Sequence, residues 1–242
     1  MKKLQLSILI ISLVSICTIA NGQSSGDFYQ INVYHTASQA QLDSVNTYIK
    51  NNYVAQLHNA GFSKVGVFMP IANDTSADKR IVVLIPLKSL DQLSKIALDA
   101  AAPKYKRLES IVLSAFPDAP KWQMPELKGN VKDRVYELRS YESATEERHQ
   151  KKVEMFNKGG EVKLFKRLDF NAVFYAKVLI GSRMPNLMYM TSFDNMTAHD
   201  EHWKAFGADA EWKQLSGLPE YANTVQHIDI TLMHAADYSD IK

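Results

Sequence analysis

Phe116-Pro117-Asp118-Ala119-Pro120-Lys121-Trp122-Gln123-Met124-Pro125-Glu126-Leu127-Lys128-Gly129-Asn130 decides the fold, because no regular element can cross it. Its three prolines remove backbone donors and fix φ, and Gly129 adds a further break. As a linker over 117–131 it divides the chain into two stretches in which the same order of elements is predicted. Before it, a strand runs from Asp27 to Tyr34 and a helix is written over 38–61, with Leu42, Val45, Ile49, Tyr53 and Leu57 at steps of three and four. Ser38 and Gln41 have capping-box spacing, and Gly61 is a stop signal. The strands KVGVFM and RIVVLIP follow, then a helix capped by Ser89 and Gln92 and carrying Leu90, Leu93 and Ile96, then the strand SIVLSAF.

After the linker the order restarts with RVYELRSY as strand and TEERHQKKVEMFNKGGEVKLFKRL as helix, where Gly159-Gly160 marks a kink or break. NAVFYAKVLI and NLMYMTSF are strands, TAHDEHWKAF is a helix and TVQHIDITLM is the last strand. Residue types recur at an offset of 107, in Tyr29 and Tyr136, Tyr34 and Tyr141, Tyr105 and Trp212, Lys106 and Lys213, and Leu108 and Leu215. Each half therefore reads as a ferredoxin-like β-α-β-β-α-β module, an antiparallel sheet with helices on one face. The other face is apolar and must be covered; two such sheets can pack face to face or close into a barrel, and two tandem copies in one chain can do either without a partner. The expected organisation is a signal peptide over 1–22, a first module over 27–116, the linker, a second module over 132–235 and a tail over 236–242.

Composition excludes several classes. With 46% hydrophobic and 22% charged residues the chain is ordinary globular protein, neither disordered nor disulfide-stapled. Met1-Lys2-Lys3, an apolar run of 17 residues and Ala20-Asn21-Gly22 have the order of a secretory signal, with cleavage expected after Gly22 and export to a periplasm or the exterior. Lipid attachment at Cys17 is disfavoured because Ile16 is not small, and no membrane span is expected after cleavage. The formal charge of +2 resides in Lys2 and Lys3, so the mature chain carries 26 basic and 26 acidic side chains and no cysteine. That excludes an electrostatic nucleic-acid footprint and any thiolate chemistry. There is no phosphate loop, dinucleotide fingerprint, GxSxG elbow or HExxH.

VYELRSY, GSRMPNLMYMTSFDNM and HDEHWKAFGADAEWKQL, three separated motifs between Arg134 and Met233, together resemble the NIPSNAP family. The resemblance implies the dimeric α+β barrel shared with monooxygenase-like and stress-barrel families, and it implies no particular reaction. The first half departs from the pattern: it lacks the His-Trp pair and the Arg-Met-Pro-Asn turn, so a site built on them is expected once per chain.

Candidate site residues lie mostly in the second half. Met196, His199, Trp203 and Phe206 share one helix face, with His202 on its flank. These two histidines, with Asp200 and Glu201 between them, could hold a divalent metal, one could ligate haem or act as a general base, or both could simply pack beside Trp203. A third metal ligand at suitable spacing is absent, so no metal and no cofactor is predicted. His149 lies on a stripe with Val153 and Phe156, and its convergence with His199 or His202 would make a polar pocket. Arg139 alternates with Glu137 and Tyr141 on a strand face that is either solvated, ion-paired or, if interior, able to hold an anion. Arg183 sits in a tight turn where neither glycine nor proline chemistry requires it, which makes it a candidate ligand contact. Tyr175 and Tyr189 could line a pocket or pack across strands. The function expected is a small-ligand-binding or scaffold barrel. The alternatives are a monooxygenase-like enzyme using a pocket histidine, with Arg183 orienting an anionic group, and a self-associating module, including a homodimer.

Overall fold

The structure, a computed structural model, describes residues 26–96 and 102–242. The expected signal segment, the expected cleavage site and Cys17 lie outside the described residues. Eight strands, β1 (Phe28–Thr36), β2 (Gly66–Pro70), β3 (Lys79–Leu87), β4 (Arg107–Ala115), β5 (Val135–Glu142), β6 (Asn171–Ile180), β7 (Asn186–Phe193) and β8 (His227–Ala235), form one closed barrel. The lateral order is β1-β3-β2-β8-β5-β7-β6-β4, and every pairing is antiparallel. The first four strands thus lie together as β4-β1-β3-β2 and the last four as β8-β5-β7-β6, with seams at β2·β8 and β4·β6. Closure removes the open sheet edges that two separate sheets would expose.

The period-two alternation of the strands sorts side chains into two environments. Tyr29, Ile31 and Val33 of β1 and Tyr136 and Leu138 of β5 point into the lumen, where they meet Phe68, Phe174, Met188, Met190 and Met233. The opposite faces pack under helices. Tyr34, Ile81, Val83 and Ile85 lie beneath α1 (Gln39–Tyr48), a π turn at Ile49–Tyr53 and α2 (Val54–Asn59). Tyr141, Tyr175, Tyr189 and Phe193 lie beneath α3 (Glu146–Phe156), α4 (Glu161–Arg167) and α5 (Met196–Ala208), which continues into α6 (Ala210–Ser216).

The capping box at Ser38 and Gln41 acts as its spacing predicts. Ser38 Oγ accepts from Gln41 N–H at 3.2 Å, and Gln41 Oε1 accepts from Ala37 N–H at 2.8 Å. The long helix expected over 145–168 is two helices, because Gly160 takes φ 90°, a left-handed conformation that a side chain resists. Ser89 makes no cap bond, and Leu90–Lys95 is a 3₁₀ turn rather than an α-helix within the described residues. Three of the five recurrences at offset 107 are coincidental: Trp212, Lys213 and Leu215 are on α6, whereas Tyr105, Lys106 and Leu108 run into β4. The tyrosine recurrences do hold in space, since β1 and β5 occupy matching places in the strand order.

The linker and the C-terminal segment close one end of the barrel. Asp27 N–H donates to Pro120 O at 2.7 Å, Gln123 N–H donates to Val173 O at 2.9 Å, and Trp122 packs on the lumen core. The segment expected as a tail is likewise fastened, with Val67 N–H donating to Ser239 Oγ at 2.9 Å and Ile241 fully buried in the lumen core. The other end is polar. No helix of the described residues is long and apolar enough to cross a membrane.

Candidate functional site

Alternation along β5 sends Leu138 and Ser140 to the lumen and Glu137, Arg139 and Tyr141 to the helical side. There they form a buried polar network. Arg139 Nε donates to Glu137 Oε1 at 2.8 Å, and its Nη1 donates to Tyr141 Oη at 3.3 Å. Tyr141 and Tyr189 share a hydroxyl hydrogen bond of 2.8 Å. Asn195 caps α5 by accepting from Ala198 N–H at 2.9 Å, and this start places the next turns over Glu137. Trp203 Nε1 donates to Glu137 Oε2 at 2.6 Å, while its ring lies 3.7 Å from the Arg139 guanidinium carbon. His199 Nε2 lies 3.4 Å from the same carboxylate oxygen without hydrogen-bond geometry, and its Nδ1 is 2.8 Å from Asp200 Oδ1. Asp200 is exposed and Glu137 is 1% exposed, so His199 stands between solvent and the network.

A second buried pair flanks this network. Lys152 Nζ of α3 donates to Glu161 Oε2 of α4 at 2.9 Å and lies 4.8 Å from the Phe156 ring. Burial pushes the Glu161 carboxyl up, against the opposing pull of Lys152 and Arg139. Burial likewise raises the Tyr175 and Tyr189 phenols, so both are neutral donors over the ordinary pH range. Burial works against the Arg139 charge, but the Glu137 carboxylate and the hydrogen bond to the Tyr141 hydroxyl outweigh it, and the group remains a cation. The network is therefore an oriented carboxylate, a fixed guanidinium and two phenols, with one histidine placed between it and solvent. That set can hold a developing negative charge and pass a proton.

At the open end of the barrel the two halves bring a different set together. His35 Nδ1 is 2.8 Å from Asp78 Oδ2, and Arg107 pairs with Glu109. Across the mouth, Arg183 pairs with Asp229 and lies 3.5 Å from Glu142 Oε1, and His227 Nε2 is 3.3 Å from Asp229 Oδ1. Ligand atoms of Glu142, His227 and Asp229 fall within 4.8 Å of one another, so this cluster could coordinate a divalent metal, in competition with the Arg183 cation already there. Between the two sets lies a cavity of about 70 Å³ with an apolar floor.

The NIPSNAP family model matches residues 136–240, which include the whole buried network. This part of the chain is NIPSNAP-like. Solved structures extend the likeness to the complete barrel. A protein assigned as a monooxygenase from Lactobacillus acidophilus NCFM aligns with a TM-score of 0.57 at 11% identity, covering 87% of this chain and 94% of its own. One assigned the same activity from Fusobacterium nucleatum gives 0.57 at 6% identity, covering 87% and 93%. An anthrone oxidase-like protein gives 0.56 at 9% identity, covering 88% and 93%. At these identities the likeness is one of fold. No curated protein matches the chain.

The NIPSNAP-like half holds most of the residues singled out from sequence, but it does not gather them into one place. Arg139, Tyr189 and His199 belong to the buried network, and Tyr175 stacks on Tyr189 at 5.6 Å across the β6·β7 pair. The Arg139 face is neither solvent nor lumen: it is roofed by α5, and Arg139 holds the Glu137 carboxylate of its own strand. His202 packs edge-on to Phe170 and Phe193 while its Nδ1 meets Leu168 O at 2.9 Å. His149 is buried with no partner at Nδ1, and it makes no hydrogen bond, ion pair or ring contact with His199 or His202 among the described residues. Arg183, in a left-handed conformation with φ 64°, is at the barrel mouth. Glu137, Lys152 and Glu161 were missed. A lysine and a glutamate nine residues apart on either side of Gly159-Gly160 give no sequence signal until the helix breaks and folds back.

Proposed function

We propose that the protein is a small-molecule enzyme of the monooxygenase-like barrel type, with its reaction centre in the Glu137–Arg139–Tyr141–Tyr189 network. The single observation that carries this is the row Asp200, His199, Glu137, in which an imidazole stands 2.8 Å from an exposed carboxylate and 3.4 Å from a buried one. His199 passes the proton of an enolisable or phenolic substrate to Asp200 and water, while Arg139 and the tyrosine hydroxyls steady the anion left behind. The fold shared with proteins assigned as monooxygenases, and with an anthrone oxidase-like protein, supports dioxygen as the second reactant.

The test is oxygen consumption by the purified protein with a panel of anthrones, polyphenols and 1,3-diketones. Activity on at least one class, reduced about 100-fold in His199→Ala and retained in His202→Ala, is the expected result. No consumption across the panel, or equal rates in both variants, removes the reading.

A second reading, a ligand-binding or scaffold barrel, is favoured by the closure of the network: Glu137 and Tyr189 are already hydrogen-bonded and buried. It predicts that ligands change stability without turnover. We further propose that the two halves are tandem ferredoxin-like modules whose barrel forms within one chain, and that the protein is exported. Self-association is a third role, for which Ile228 and Ile230, exposed on the outer face of β8, offer an apolar surface.

A further inference from the structure

The cavity at the barrel mouth has an unused charge. Alternation along β3 places Arg80 on the lumen side above Val82, opposite His35 of β1. Its backbone is fixed from both sides by Asn73, whose Oδ1 accepts from Arg80 N–H at 2.8 Å and whose Nδ2 donates to Arg80 O at 2.7 Å. The other charges at the mouth are committed: His35 to Asp78, Arg107 to Glu109, and Arg183 to Asp229. The half-buried Arg80 guanidinium has no carboxylate partner among the described residues. Below it the floor is Val33, Val82, Ile111, Leu138 and Met188.

We propose that this mouth binds a small monocarboxylate, with its carboxylate on Arg80 and its alkyl end on the apolar floor. A guanidinium matches a carboxylate with two parallel donors, and a half-buried one gains more from an anion than a solvated one does. The cavity, about 70 Å³, is smaller than the ~150 Å³ cavity that admits benzene, so it takes a short alkyl end and no aromatic ring. Glu109 and Asp229 at the rim disfavour a dianion, and the floor offers nothing to an anion without an apolar part. Both halves of the chain line the site, with Arg80 supplied by the first, and it is separate from the network under α5, so it stands or falls apart from the proposed enzyme.

The experiment is calorimetric titration of the whole protein with propionate, and with inorganic phosphate and benzoate as comparators. Propionate binds in the millimolar range, phosphate and benzoate at least tenfold more weakly, and Arg80→Met weakens propionate by about ten- to a hundredfold. Arg80→Lys retains part of the affinity. Leu138→Phe, which fills the floor and leaves Arg80 in place, weakens propionate and serves if Arg80→Met does not fold. No heat with propionate, equal binding in Arg80→Met, equal binding in Leu138→Phe, or phosphate binding as tightly as propionate each overturns the proposal.

Discussion

Lys152 and Glu161, nine residues apart in the chain, face each other at 2.9 Å with side chains only 6% and 2% exposed. The break at Gly159-Gly160 turns α4 back on α3 and brings them together. A buried pair is weak evidence for net stability, but cutting it in half strands a charge. Lys152→Met therefore lowers unfolding stability by about 3–5 kcal/mol, whereas the double replacement Lys152→Met with Glu161→Leu recovers most of that. Urea unfolding of the three proteins at pH 7 measures it. A loss under about 1 kcal/mol in the single variant shows that Glu161 has taken up a proton or found water instead.

His149 gives a pH signature. Burial lowers its pKa below the ordinary 6.5, with Lys177 adding to the effect and Glu146 opposing it. In the unfolded chain the imidazole protonates near 6.5, while in the folded chain it resists. Folding stability is therefore fully present above about pH 6.5 and is lost as pH falls from there through the depressed folded value. Thermal unfolding of wild type and His149→Gln between pH 5 and pH 8 is expected to show a shallower acid-side decline in the variant. Parallel curves rule out His149 as the source.

How much of this was legible in the sequence divides along physical lines. The strands were, since RIVVLIP is a continuous apolar run of strand length and VYELRSY alternates as a pleated surface does, and the Pro-rich stretch carries no strand or helix, as its prolines require. The need to cover two apolar faces left face-to-face packing and barrel closure both open, and the chain takes the second. The site was legible only in pieces. His199 and Arg139 were marked by being polar on packing faces, but their meeting place, Glu137, looked like an ordinary alternating charge. Long-range partners such as Arg183 with Asp229, or Lys152 with Glu161, depend on strand register and a helix break, and neither is written in any local window. Apparent recurrences also misled: Trp212 matches Tyr105 in spacing, yet one is on a helix and the other at the start of a strand.

Two glycines separate backbone strain from space. Gly160 has φ 90° and no atom within 4 Å of where a Cβ would stand, so Gly160→Ala costs about 1–2 kcal/mol from conformation alone. Gly207, near the end of α5, also has open space around it but ordinary helical geometry, so Gly207→Ala is neutral or stabilises by up to about 1 kcal/mol. Equilibrium unfolding of both variants tests this. A neutral Gly160→Ala means that the α3–α4 break does not need the left-handed residue.

Trp203 holds the network from above with two interactions that a single pair of substitutions separates. Its indole N–H donates to Glu137 at 2.6 Å, and its ring covers the Arg139 guanidinium. Trp203→Phe removes the donor and keeps an aromatic face, so Glu137 loses one of its bonds while Arg139 keeps its stack, at a cost of about 1–3 kcal/mol. Trp203→Leu removes both and opens space beside Phe165 and Phe170, whose rings lie 5.8 and 4.8 Å from the indole, so it costs more, about 3–5 kcal/mol. If the network is the reaction centre, Trp203→Phe also slows oxygen consumption more than its stability loss explains, because Glu137 is free to shift relative to His199. Unfolding and oxygen uptake measured on the same preparations distinguish the cases. Equal unfolding midpoints for the two variants show that the stack on Arg139 contributes nothing, and unchanged uptake in Trp203→Phe places the chemistry elsewhere.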